Sequence, residues 1–225
     1  MKRTILLSAT LAAVSGAAAP AMAQDWYGQF FGGVTFSDDA RFSGAVGGSP
    51  QSVITNLDDG YNLGAAIGTT LPGLSFGGVS LRGEIELSYS ENDVGSVNFS
   101  GNGPAPEANA GGDISSTYLF GNVIADFATG TKFTPYAGIG LGVAFVDQSV
   151  SYGTGVSING NDEVFASQLI LGGAYALNDK TSLFSDVRYI RSYDVAGTRT
   201  APGSVARVSD DLSNVALNVG VRFKF

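Results

Sequence analysis

Past residue 25 the chain alternates between apolar and polar side chains, and this two-residue period limits its fold more than any other feature. Ser213, Val215, Leu217, Val219, Val221, Phe223 and Phe225 share one parity; Asn214, Ala216, Asn218, Gly220, Arg222 and Lys224 share the other. A strand turns successive side chains to opposite faces, so the two sets separate across a sheet. The same split sets Leu81, Gly83, Ile85, Leu87 and Tyr89 against Arg82, Glu84, Glu86, Ser88 and Ser90. It sets Leu183, Ser185, Val187 and Tyr189 against Phe184, Asp186, Arg188 and Ile190, and residues 165–177 divide likewise. Adding 26–36, 60–70, 115–127 and 134–147 gives eight strand segments. No sustained run of helix formers interrupts them, and past residue 25 no stretch reaches the roughly 18 consecutive apolar residues of a membrane helix.

The connections alternate in length. Long stretches cover 37–59, 92–114, 148–161 and 192–211; short ones cover 71–78, 128–133 and 178–180. Four long connections and three short turns in strict alternation put every long one at the same end and both termini at the other. That is the plan of an eight-stranded antiparallel up-and-down transmembrane β-barrel, with four extracellular loops and three periplasmic turns. A strand of about eleven residues tilted by about 40° rises roughly 27 Å, enough for an apolar band of about 25 Å.

Alternation does not say which face is outside, because a soluble barrel would turn its apolar face inward. Charge favours the inverted arrangement. Past residue 23 there are only three lysines, Lys132, Lys180 and Lys224. The mid-strand charges balance if they share one lumen: Arg82, Arg188, Arg222 and Lys224 against Glu84, Glu86, Asp126 and Asp186. Aromatic residues near strand ends, namely Trp26, Tyr27, Phe127, Phe133, Tyr136, Tyr189, Phe223 and Phe225, are expected to form girdles at the membrane interfaces.

Composition closes off other classes. The chain has no Cys and no His. That excludes disulfides, thiolate zinc sites, His metal sites and Ser-His or Cys-His dyads. The start has the form of a secretory signal peptide: basic Lys2 and Arg3, an apolar run over 5–19, Pro20, then Ala21-Met22-Ala23. Cleavage is predicted after Ala23, giving residues 1–23 as signal and 24–225 as the barrel domain. The leader holds two of the 12 basic residues and none of the 20 acids, so the mature net charge is 10 − 20 = −10. Nucleic acid is not an expected partner of so acidic a chain.

Residues 118–142, YLFGNVIADFATGTKFTPYAGIGLG, carry a family resemblance. Asn122, Asp126-Phe127, a short turn, Thr134-Pro135-Tyr136 and the ladder Gly138, Gly140 and Gly142 resemble the outer-membrane β-barrel superfamily of opacity-type and surface-antigen proteins. Phe165-Ala166 with Gln168, and the closing Val221 to Phe225, extend the likeness. Where the family often has Tyr-Arg-Tyr, this chain has Val187-Arg188-Tyr189. The resemblance implies an eight-stranded barrel in the outer membrane of a Gram-negative bacterium, bounded by lipid and lipopolysaccharide. It also implies insertion by the cell's barrel-assembly machinery, with Phe225 as the C-terminal assembly signal. Barrel lipases and proteases of related families use a His, which is missing here.

Several motifs read as structure. The run 138–142 alternates with Ile139, Leu141 and Val143, so it is strand interior and not a phosphate loop. If residues 128–133 close a hairpin, Gly138, Gly140 and Gly142 face Ile124, Asn122 and Phe120 and make room in a narrow lumen. Glu84 and Glu86 stand about 7 Å apart, a spacing seen in inverting glycosidases, but arginines of the same parity favour ion pairing. The oxygen-rich run 159–163 departs from the spacing of a calcium loop. No metal and no cofactor is expected.

The lumen charges Arg82, Glu84, Glu86, Asp126, Asp186, Arg188, Arg222 and Lys224 form either a salt-bridged plug or the lining of a pore. The leading expectation is a non-enzymatic, structural and surface-exposed barrel whose lumen is filled by ion pairs. A narrow porin-like channel for ions or small solutes is the first alternative. A surface adhesin is the second, binding an unidentified extracellular ligand or host surface through loops rich in acids such as Asp58, Asp59, Glu91, Asp93, Asp113 and Asp147.

Overall fold

The computed structural model describes residues 26–37, 40–46, 49–71, 73–74, 76–100, 111–152, 155–201 and 204–225. The expected signal peptide, residues 1–23, lies outside them.

Ten strands run in order: β1 (Trp26–Ser37), β2 (Ala40–Val46), β3 (Ser49–Leu57), β4 (Gly60–Thr70), β5 (Val79–Ser100), β6 (Gly111–Phe127), β7 (Phe133–Tyr152), β8 (Val156–Ala176), β9 (Thr181–Ala201) and β10 (Ser204–Lys224). Eight of them, β1 and β4 to β10, make the closed up-and-down ring, each antiparallel to its neighbours, with β1 sealing against β10. There is no helix among the described residues.

The register fixes the barrel's stagger. Trp26 pairs with Thr69, and the row continues through Gly83, Val123, Ile139, Leu169, Tyr189 and Val215 to Phe36. One circuit therefore advances ten residues along β1 (36 − 26 = 10). A stagger of this kind tilts the strands by about 40° and leaves an interior that side chains can fill. Each large side chain in this row points outward.

The stretches expected to be long loops are largely strand. β5, β7, β8, β9 and β10 each run 20 to 22 residues, well past the membrane segments read from the sequence. β2 and β3 pair with each other, and with β10 on one side and β5 on the other, carrying the wall upward above β1 and β4. The cause lies in the side chains. In the lower part of β7, Ile139 and Leu141 face out and Gly138 and Gly140 face in. In its upper part Val146 and Val150 are buried and Asp147, Ser149 and Ser151 are exposed. The period is still two, with its sense reversed.

A bulge adjusts the inward set where β9 meets β10. Val195 pairs with Asp210 and Ser192 with Leu212, so two residues oppose the single Asp211. Asp194 adopts φ 55°, and its amide donates to Asp211 Oδ1 at 2.9 Å. Arg191 Nη2 holds the other oxygen at 2.6 Å. These bonds, backbone first, keep the Asp211 carboxyl below its ordinary value.

The outer wall of the lower barrel is apolar: Leu63, Ile85, Leu87, Leu169, Leu171 and Val219 are all exposed. Trp26, Phe127, Phe133, Tyr175 and Phe223 stand at the short-turn end of that wall. Two expected girdle residues are not there. Tyr27 and Tyr136 have the opposite parity to Trp26 and Ile139, and both are buried in the lumen.

Candidate functional site

The lumen holds the charged residues that the outer wall lacks. Arg82, Glu84 and Glu86 come from β5, Asp126 from β6, Asp186 and Arg188 from β9, and Arg222 from β10, all on inward parity. Arg82 is 2% exposed, Glu86 0% and Arg188 1%. Burying such groups is tolerable only with partners, since an isolated charge in low dielectric is very costly.

Two arginines organise the partners. Arg188 Nη1 meets Glu86 Oε1 at 2.5 Å, and its Nε meets Asp186 Oδ1 at 3.0 Å. Glu86 also accepts from Asn122 Nδ2 at 2.8 Å and Gln168 Nε2 at 3.3 Å. Asp186 accepts from Tyr136 Oη and Asn218 Nδ2, both at 3.0 Å. Arg82 binds Glu84 through Nη1 and Asp126 Oδ2 through Nε at 2.9 Å. Tyr27 joins them, donating to Glu84 Oε1 at 2.6 Å and accepting from Arg82 Nη1 at 2.8 Å. Each of these two guanidiniums thus has two carboxylates, an arrangement that links β5, β6 and β9 across the bore.

The equal count of positive and negative charges does not become four pairs. Arg222 makes no ion pair among the described residues; its Nε donates to Gln29 Oε1 at 3.0 Å. Its Cζ lies 5.1 Å from the Tyr27 ring, 5.7 Å from Tyr136 and 5.4 Å from Phe184. Lys224 is exposed at the short-turn rim, and its amide donates to Lys180 O at 2.8 Å. Phe225 is exposed, with its amide hydrogen-bonded to Trp26 O at 3.0 Å.

Neutral members of the network were not identified from the sequence. Tyr27, Gln29, Tyr136 and Asn218 share the inward parity but carry no formal charge. Gln168 enters the sequence reading only through the family resemblance, and Asn122 only through that resemblance and as the residue facing Gly140. Extending the parity argument from charged to all polar residues would have found them.

The glycine ladder makes the bore narrow enough to fill. Gly138, Gly140 and Gly142 pair with Ile124, Asn122 and Phe120. A Cβ on Gly140 would strike Asn122 Oδ1 and stand 2.8 Å from Gln168 Cγ; on Gly142 it would stand 2.8 Å from Phe120 Cδ1. Phe120 stacks on Tyr118 with ring centroids 5.4 Å apart, and above them the lumen turns apolar, with Val94, Ile114, Val146, Val150, Ile158, Val195 and Val208 buried together.

On the upper outer surface the carboxylates crowd. Asp93 pairs directly with Asp113 across β5 and β6. Partial burial, then Glu91, Asp147 and Asp93, push the Asp113 carboxyl above its ordinary value. Asn161 Nδ2 donates to Asp147 Oδ2 at 2.7 Å, and Asp162 accepts from the Ala196 amide at 2.8 Å, so run 159–163 is used within the wall.

An apolar belt around a closed ring of strands with its charges turned inward defines a transmembrane β-barrel. Residues 9–225 match the family described as outer membrane protein beta-barrel domain, and the chain belongs to that family. It is an outer-membrane protein of Gram-negative bacteria; barrels of this kind turn their short turns to the periplasm and their longer connections to the exterior. Among solved structures it resembles Neisserial surface protein A, at 17% identity and TM-score 0.51, over 89% of this chain and 97% of that one. It also resembles OprG from Pseudomonas aeruginosa, at 16% identity and TM-score 0.58, over 89% and 97%. The outer membrane protease OmpT from Escherichia coli aligns at 9% identity and TM-score 0.56, over 92% and 99%. These likenesses concern the fold. No curated protein matches by sequence.

Proposed function

We propose that this protein is a non-enzymatic barrel with a sealed lumen, which reinforces the outer membrane and carries an acidic wall beyond it. The observation that supports a seal is the pair of two-carboxylate arginines, Arg82 and Arg188, filling the bore together with Glu86, Gln168, Ile124 and Phe120, all buried. Eight strands leave little more than side-chain space, and here the space is taken. In this reading residues 1–23 are a leader removed after Ala23, Phe225 serves the assembly machinery, and no cofactor takes part. The absence of His removes the base that most nucleophilic hydrolases use.

Single-channel current through the refolded barrel in a planar bilayer tests the seal, with heat-shifted gel mobility showing beforehand that the barrel is folded. The proposal predicts silence. A steady conductance that changes with Glu84→Gln or Arg82→Gln would move the protein to the channel reading.

A second reading, a surface adhesin, is favoured by one observation: strands rise past the apolar belt and expose Asp93, Asp113, Asp147 and Glu163. Asparagine at these four positions should abolish cell attachment while leaving the barrel folded; attachment that persists contradicts the adhesin reading.

A further inference from the structure

The periplasmic mouth of the barrel is a built cationic cavity. It measures about 290 Å³ and is lined by Arg82, Arg222, Lys132 and Lys224, with Asp126 the one carboxylate in its wall. Arg82 spends Nε on Asp126 and Nη1 on Glu84 and Tyr27, and its Nη2 has no hydrogen-bond partner. Arg222 is 8% exposed, is caged by three aromatic rings, and forms no ion pair among the described residues. A guanidinium buried beside a second guanidinium without its own counter-charge is costly. The Gln29 oxygen and the ring faces offset part of that cost, and the carboxylate behind Gln29, Glu84, is already held by Arg82 and Tyr27. Elsewhere in the lumen charge is matched: Arg188, deeper in the bore, has both its carboxylates.

We propose that this vestibule binds a small free oxyanion of the phosphate class from the periplasm, with Arg222 as the principal ligand, Arg82 behind it, and Lys132 and Lys224 drawing the ion in. Arginine's planar fork suits two oxygens of such an ion, while the lysines at the rim act as point charges. Access is from the aqueous end. The strand wall separates the cavity from lipid headgroups, so a free ion is the occupant.

The test is a titration of the refolded barrel in uncharged micelles with inorganic phosphate at constant ionic strength, followed through the Nε–Hε signals of its arginines. Saturable shifts are expected for Arg222 and Arg82, with Arg188 unmoved. Arg222→Gln should weaken the apparent affinity, read on Arg82, by about tenfold or more. If that variant does not fold, the exposed pair Lys132→Gln and Lys224→Gln should weaken it several-fold. The same titration in phosphatidylglycerol nanodiscs should give the same affinity; loss of the free-phosphate response there would assign the site to lipid headgroups and overturn the proposal. So would a non-saturating drift shared by all three arginines, or a folded variant that binds phosphate as the parent does.

Discussion

The lower and upper halves of the barrel share the same strands and the same hydrogen-bond ladders, yet their side chains are arranged in opposite senses. Below, Arg82, Glu86 and Arg188 are buried and Ile139, Leu171 and Val219 are exposed. Above, Val146, Val150, Ile158 and Val195 are buried and Asp147, Ser149 and Ser151 are exposed. The strand backbone is indifferent to this choice; what lies outside the wall decides it. Lipid accepts apolar groups and pushes charge inward, where it must be paired. Water accepts charge and leaves the interior to apolar packing, as in a soluble barrel. The lesson is that the point where the alternation reverses marks the edge of the membrane.

The largest effect is expected inside the lower half. Arg188→Gln leaves Glu86 and Asp186 buried without their cation, and a loss of about 3–5 kcal/mol is expected by denaturant unfolding in micelles. Combining it with Glu86→Gln should recover part of that loss, because one stranded charge is removed. If Arg188→Gln is neutral, the paired-charge account of the lower lumen is wrong.

The outer wall gives the next largest effect. Ile139 and Ser149 lie on the outward parity of β7. Ile139→Arg faces the apolar belt and should cost about 2–4 kcal/mol, while Ser149→Arg, in water, should stay within about 0.5 kcal/mol of the parent. Equal costs at the two positions would place both in the same solvent.

Packing within the bore comes third. Gly140→Leu meets Asn122 and Gln168 and should destabilise by about 1–3 kcal/mol. Gly121→Leu points out of the wall, where a Cβ has only Leu141 O at 3.9 Å near it, and should be close to neutral.

The smallest effect is electrostatic and lies outside the membrane. Asp113 titrates above its ordinary value in the fold, so its ionisation opposes folding. Its contribution favours the fold at acid pH and is lost as pH rises from the ordinary carboxylate range through the raised value. Asp113→Asn should slightly raise the neutral-pH midpoint of unfolding and flatten this part of the pH profile. Asp211 has the opposite sign: its contribution is present above the ordinary value and fades as pH falls through the lowered one.

The lower half was legible in the sequence because its alternation carries strong contrast. Leu217, Val219 and Val221 against Asn218, Gly220 and Arg222 leave no doubt of a strand. The lower ends of most strands were read to within a residue or two, since turns such as Asn178-Asp179-Lys180 interrupt the pattern. The upper half reads as loop for a physical reason. Val156 and Ile158 alternate with Ser157 and Asn159, but the apolar set has changed faces, and Gly, Asn and Asp dilute it. The bulge at Asp194 then shifts the inward parity of β9 by one. In the lumen, charge parity led to Arg82 and Arg188, whereas no count of charges could show that Arg222 would face aromatic rings and a glutamine.

The most direct test of the reversal is a nitroxide scan of outward positions along β7 in a lipid bilayer, reading oxygen against water-soluble relaxant accessibility at Ile139, Leu141, Val143, Phe145, Asp147, Ser149 and Ser151. The structure predicts oxygen-accessible lipid contact at Ile139 and Leu141, with a change to water contact by Ser149. A lipid profile continuing through Ser151, or water contact at Ile139, would contradict it.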